Sequence, residues 1–457
     1  MRKRKHLHAR AIVYVLMVLA VGAFAYSSLS KFIKNRPAFD YHYGEDTLRN
    51  AVKYPDVRFA VLSDIHYYDS TLGTEGQAFE AYLKSDRKLL KESGTLINLA
   101  IKKIVDSNVE FVLVTGDLTK DGELVCHQKV AELLSQLTEK GIRVYVIPGN
   151  HDVNNPGAFR YEADQKLPVP SVSHAEFADI YHAHGYEDAL YKDTNSLSYV
   201  SALHDSLWLL AIDSCRSGEN KPGETEIVGG KLDEKQEKWI EEMLVLASRE
   251  KKAVIVTAHH GINEHFKGQK RFHNSFVIDN HNYIGKLLAS WNVKVAFTGH
   301  YHAQDITLAN YDEYGFLYDI ETGSLVTPPC SIRFCTIENN QMTVQSEYLA
   351  DLLQPGTDFS TEAEGFVFES VAQEARKILK KFFVSQTDAD YIANYAASAF
   401  VAHYRGDEDI SLKPPFDIKK LSLWSRFVYS QLDYVVDGLW DDIQPADNEA
   451  VLNLEHP

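Results

Sequence analysis

Five apolar runs in this chain end alike: "VRFAVLSDIH", "EFVLVTGDL", "IRVYVIPGNHD", "KAVIVTAHHG" and "VKVAFTGHYH" each pass directly into aspartate, asparagine or histidine. That recurrence limits the fold more than any other feature. A short, near-continuous apolar run rich in β-branched residues reads as a strand buried on both faces, and such strands belong to sheets covered by helices. Helical periodicity fills the gaps: residues 86–105 repeat Leu89, Leu90, Ile97, Ile101 and Ile104, and Val130, Leu133, Leu134 and Leu137 mark the next stripe. A further strand, "SLWLLAIDS", precedes a helix through Trp239, Ile240, Leu244 and Leu246. The alternation predicts an α/β domain with a largely buried sheet. Ligands of open α/β sheets gather outside the carboxyl ends of the strands.

The strand ends are therefore read together. They carry Asp64 and His66, Asp117, Asn150 with His151 and Asp152, His259, and His300 with His302. Any one of them alone is an ordinary polar turn. In this order they should converge on one edge of the sheet. Asp64 and His66 are two apart, as are His300 and His302, so each pair shares a face of an extended segment. Glycines before Asp117, Asn150 and His300 permit tight turns there. Three oxygen donors (Asp64, Asp117, Asn150) and four imidazoles (His66, His259, His300, His302) are too many for one tetrahedral zinc. They suit two five- or six-coordinate divalent transition-metal ions, manganese or iron first and zinc possible, with Asp117 as the bridge.

The series D-x-H, GD, GNHD, H, GHxH resembles the calcineurin-like metallophosphoesterase superfamily over about residues 58–345. The resemblance implies a four-layer αββα sandwich of two sheets with a dinuclear centre at one edge. It implies that Asp64, His66, Asp117 and His302 hold the first ion, and Asp117, Asn150, His259 and His300 the second. His151 becomes the acid beside the leaving group, with Asp152 as its orienting partner. Ions about 3.5–4 Å apart would lower the pKa of a bridging water, whose hydroxide attacks a phosphoester. "GDLTKDGE" lacks the tyrosine of purple acid phosphatases, "GNHDVNN" differs from the GNHE of protein phosphatases, and "DIHYY" from the DxHG of 5′-nucleotidases. "SDIH", "PGNHD" and "TGHYH" look most like class III cyclic-nucleotide phosphodiesterases. The expected partner is a small phosphoester. Other nucleotides, lipid headgroups and wall polymers are the alternatives, and a non-catalytic scaffold fits poorly with a complete ligand set.

At 457 residues the chain exceeds one hydrophobic core, so a second domain is expected. Residues 1–30 read as a membrane anchor or signal sequence, 31–54 as a spacer, 55–348 as the metallophosphoesterase domain and 349–445 as a small all-α domain. The N-terminal span "AIVYVLMVLAVGAFAYSSLS" has no charge and follows Arg2, Lys3, Arg4, Lys5 and Arg10. A basic cluster before such a span keeps the N-terminus in the cytoplasm and exports the rest. The catalytic domain should then lie outside the membrane, or be secreted if cleavage follows Ala23-Phe24-Ala25. A net charge of −17 repels nucleic-acid polymers. Cys126, Cys215, Cys330 and Cys335 form no CxxC pair, so neither structural zinc nor a disulfide framework is expected. At the C-terminus, Ser360 should cap a helix through Val371, Ala375, Ile378, Leu379 and Phe382. A second helix carries Tyr391, Tyr395, Ala399 and Ala402, and a third Trp424, Val428, Leu432 and Val435. "ADYIANYAASAFVAHYRGDED" is similar to the C-terminal helical domain of Gram-positive cyclic-nucleotide phosphodiesterases.

Overall fold

The strand runs become β1 (Val57–Leu62), β2 (Phe111–Val114) and β3 (Arg143–Val146), which pair in parallel. A hairpin of β4 (Phe159–Glu162) and β5 (Gln165–Pro168) follows. Next come β6 (Tyr191–Lys192), β7 (Tyr199–His204), β8 (Leu207–Ile212), β9 (Ala253–Ala258) and β10 (Val295–Thr298). The last are β11 (Asp305–Asn310), β12 (Phe316–Glu321), β13 (Ser331–Glu338), β14 (Gln341–Tyr348) and β15 (Glu449–Asn453). These elements belong to a computed structural model that describes residues 52–457 apart from 407 and 442. The N-terminal span lies outside the described residues, among which no helix is long and apolar enough to cross a membrane.

Besides the β4–β5 hairpin, two large sheets form, where the strand pattern alone suggested one. One is six-stranded in the order β15-β14-β13-β1-β2-β3, the other seven-stranded in the order β11-β12-β10-β9-β8-β7-β6. Their inner faces meet in one apolar core: Phe59 of β1 stacks on Phe111 of β2 at 4.9 Å and meets Phe297 of β10 edge-on at 5.4 Å. Full burial of each such ring contributes about 1.5–3 kcal/mol. Helices Ser93–Val105 and Leu124–Thr138 pack together beside the first sheet, and helices Glu234–Arg249 and His281–Ser290 beside the second. The four-layer αββα order is therefore present. The carboxyl ends of β1 and β2 in one sheet and of β9 and β10 in the other meet at one edge of the sandwich. There His300 N–H donates to Asp64 Oδ2 at 2.9 Å and His259 Nε2 lies 3.4 Å from Asp117 Oδ2.

Several boundaries differ from the sequence reading. The helix expected over residues 86–105 begins only at Ser93, because Leu89 N–H donates to Val326 O at 2.7 Å and holds the preceding residues off the helix. The C-terminal region does form helices Phe359–Lys381 and Gln386–Arg405, which pack along one another. Ser360 caps neither, since the first starts one residue earlier with Asp358 at its N-cap position. The third expected helix splits into Leu423–Tyr429 and Asp433–Leu439. After them the chain returns to the first sheet as β15, which pairs with β14. All four cysteines are free, with Cys330 and Cys335 buried.

Candidate metal centre

Positive φ, not extended backbone, aims five of the seven expected ligands. Asp64 (φ 50°), His66 (φ 40°), Asp117 (φ 50°), His300 (φ 76°) and His302 (φ 70°) all adopt the left-handed region that costs non-glycine residues. The main chain is tied there: Asp64 N–H donates to Gly116 O at 3.1 Å and His66 N–H to Asp117 O at 2.9 Å. Two glycines are required by contact. A Cβ on Gly149 would stand 2.0 Å from Asp117 Oδ1, and one on Gly299 1.9 Å from Ser63 Oγ.

This backbone brings all seven expected ligands together. Asp64, His66 and His302 offer one cluster of donor atoms and Asp117, His259 and His300 another, while a third, His66, Asp117 and His151, overlaps both. Asp64 Oδ1 lies 3.3 Å from His302 Nε2, and His66 Nε2 faces His302 Nε2 at 3.3 Å. Asp117 Oδ2 stands between the clusters, 3.5 Å from His66 Nε2 and 3.4 Å from His259 Nε2. Asn150 Oδ1 is 3.1 Å from His259 Nε2. Asp64 Oδ1 and His300 Nε2 are buried without a hydrogen-bond partner. Buried acceptors turned toward one another without donors fit two divalent cations, one for each of the first two clusters, better than any protein partner.

The far sides of the ligands are anchored. His259 Nδ1 meets Thr115 O at 2.9 Å, which places the proton on Nδ1 and leaves Nε2 to face the centre. His302 Nδ1 meets Thr327 Oγ1 at 2.9 Å, and Asp64 Oδ2 accepts from Ser63 Oγ and from His300 N–H. Burial would raise the Asp64 carboxyl, but His302 and His66 outweigh it and hold it well below the usual range. Burial, then the charge of Lys88, pushes His66 down to about 3, so its ring is neutral and able to ligate. Burial opposes charge on His259 as well, yet Asp117 overrides it and raises the ring to about 9. A cation at Asp117 would take the place of that proton.

His151 lies at the rim, its Nε2 4.0 Å from Asp117 Oδ2. Its Nδ1 bonds Asp121 Oδ1 at 2.8 Å. The orienting partner is thus Asp121 and not Asp152. The Asp152 carboxylate is occupied elsewhere, accepting from the N–H groups of Leu118 and Thr119 at 3.0 Å and of Gly149 at 2.8 Å. It ties the GD turn to the GNHD turn. Burial and Lys88 work against a charged His151, but Asp117 and Asp121 prevail and raise it to about 9. Asp121 is itself held by the buried Lys120. Sequence reasoning missed Asp121. The available signal for Asp121 was a second acid four residues beyond Asp117 in "GDLTKDG".

Residues 57–304 match the family model described as calcineurin-like phosphoesterase. The chain belongs to that family. A probable cyclic nucleotide phosphodiesterase of Vesicomyosocius okutanii is 35% identical over 72 residues, 15% of this chain and 30% of that relative's length. A dimetal phosphatase from Danio rerio is 15% identical with a TM-score of 0.46, covering 65% of this chain and 97% of its own. A purple acid phosphatase from yellow lupin seeds is 14% identical with a TM-score of 0.40, covering 66% and 53%.

Proposed function

We propose that the chain is a dinuclear metal-dependent phosphodiesterase acting on cyclic nucleotides. The observation that carries hydrolysis is the pair of donor clusters meeting at Asp117, with the fixed imidazole of His151 at their rim. Paired divalent ions held by these residues would lower the pKa of water and neutralise phosphoryl oxygens. Asp121 fixes His151 Nδ1 and leaves Nε2 facing the centre, placed to protonate a departing alkoxide. General-acid help of that kind is worth about 10²–10⁴-fold. The nitrogen-rich donor set suits manganese, iron or zinc.

The cyclic-nucleotide part is supported by the short similarity to a probable cyclic nucleotide phosphodiesterase and by the "SDIH", "PGNHD" and "TGHYH" variants. A panel of 3′,5′-cyclic nucleotides, an aryl diester and the matching monoester, assayed with manganese-loaded protein, tests it. Cyclic nucleotides and the aryl diester should turn over at least tenfold faster than the monoester. A monoester that outpaces every diester would overturn the reading. The charge-flanked N-terminal span supports placing the catalytic region outside the cytoplasm. Protease added to intact bacterial spheroplasts should then digest it, and full protection would refute export.

A further inference from the structure

Lys88 stands where the mechanism above gives it nothing to do. Its side chain is 8% exposed, and its ion-pair partner, Asp86 Oδ2, is 3.5 Å away with no shorter polar contact among the described residues. An ammonium carries three donors, and a buried one left loosely paired is expensive unless an anion completes it. The charge is close enough to the centre to bear on both His66 and His151. Lys88 also lines a cleft of about 540 Å³ that opens beside His151.

The segment holding Lys88 is pinned on both sides. Arg87 reaches the C-terminal helices, its Nη1 3.3 Å from Tyr404 Oη and its Nη2 3.6 Å from Glu374 Oε2. Leu89 N–H is bonded to Val326 O, one residue before the Thr327 that anchors His302. The helices thus help set the position of a cation at the centre.

The rest of the cleft has two characters. Tyr82, Phe159 and Tyr161 give it an aromatic wall. Asp86, Asp121, Glu224 and Glu226 line it against Lys88, Lys166 and a His151 raised to about 9, and this excess of one carboxylate disfavours further negative charge on whatever enters. A phosphate held by Lys88 would send its leaving group past His151 and along that wall.

We infer that Lys88 is a phosphate-binding residue of this site, gripping the single negative charge of a diester whose uncharged, ring-bearing leaving group lies along Tyr82, Phe159 and Tyr161. The inference rests on the hydrolase reading and narrows its substrate class. Neutral aromatic rings stack on such walls regardless of their hydrogen-bonding edges. Terminal phosphates, as in nucleoside diphosphates, meet the four carboxylates.

The test uses manganese-loaded protein, with inorganic phosphate and the singly charged diphenyl and dimethyl phosphates as probes. Lys88→Met should raise KM for bis(4-nitrophenyl) phosphate and Ki for phosphate at least tenfold, with both ions retained and kcat changed less than KM. Lys88→Arg should recover part of the loss. Diphenyl phosphate should inhibit at least tenfold better than dimethyl phosphate, and Phe159→Ala should erase most of that ratio. KM and Ki within twofold of wild type in Lys88→Met, or metal loss in that variant, overturns the role of Lys88. A wild-type ratio near one overturns the aromatic wall. If wild type hydrolyses no phosphoester, the hydrolase reading fails by itself, and calorimetric binding of phosphate still decides on Lys88.

Discussion

Two aspartates near His151 do different work, and adjacency in sequence favours the wrong one. Asp152 follows His151 directly, yet its carboxylate meets three backbone N–H groups and Thr119 Oγ1 at 2.9 Å. Asp121, thirty positions upstream, meets the imidazole. The distinction gives different outcomes for substitution. Asp121→Asn should leave metal content near wild type while kcat falls about 10–100-fold, a part of the 10²–10⁴-fold that general-acid help supplies. The loss should shrink on nitrophenyl esters, whose leaving group needs little proton donation. The same variant should lower the melting temperature, because the buried Lys120 keeps only Glu123 as a charged partner. Asp152→Ala should destabilise the fold too, since each buried donor left unmet costs about 1–3 kcal/mol. Kinetics on two leaving groups beside thermal melts would separate the two. Equal behaviour of the two variants would count against the pairing seen here. The ligands were legible because metal binding demands particular side chains at strand ends. Asp121 and Lys88 were not, because their roles depend on loop paths that no spacing encodes.

Among the elements, strands were read best. Their β-branched runs are buried on both faces, and that environment is written directly in the residues. β15 escaped notice because an edge strand with alternating burial, "EAVLN", has too few apolar residues to stand out. The helix over residues 86–105 was read too long because Leu89 and Leu90 keep the helical spacing while packing from a separate 3-10 turn, Leu90–Glu92, ahead of the helix. The docking of the C-terminal helices was also invisible, since beside the apolar contacts of Phe266 and Tyr301 it runs through a buried polar cluster. His403, on the helix Gln386–Arg405, meets Glu408 Oε1 at 2.6 Å and Asp305 Oδ2 of β11 at 3.7 Å. His265 bonds Asp305 Oδ1 at 2.6 Å and faces Asp319 and Glu321 of β12 at 3.5 and 3.6 Å. Burial disfavours charge on both histidines, but the surrounding carboxylates win and raise both. Burial raises Glu321 to about 8, although His265 opposes it. All three groups hold protons more tightly folded than unfolded. Their contribution is therefore full at low pH and declines as pH rises through the folded values. Melting temperature should fall between pH 6 and 9, and more steeply than in His403→Gln measured at the same metal concentration. Parallel slopes would remove His403 from the clamp.

At the scale of the whole molecule, the centre joins the two sheets. Asp64, His66, Asp117 and Asn150 follow strands of the first sheet, and His259, His300 and His302 follow strands of the second. Without cations, the atoms of these buried carboxylates and imidazoles that face the seam have only one another, and Asp64 Oδ1 and His300 Nε2 lack any hydrogen-bond partner. Metal binding should therefore stabilise the sandwich as well as equip it. By mass action, each ion present at a hundredfold excess over its Kd adds about 2.7 kcal/mol of stability. Purified protein should carry about two transition-metal ions per chain, the number that the seven-donor set suits. Chelation should lower the melting temperature by several degrees, and manganese should restore it. Asp117→Asn touches both clusters, so it should lose most of both ions and melt near the chelated wild type whether or not manganese is added. His302→Ala touches one cluster only and should keep about one ion with an intermediate melting temperature. Elemental analysis alongside the melts reads each outcome. A single ion in wild type, or an Asp117→Asn protein that still holds two, would break the case for a shared, bridging aspartate.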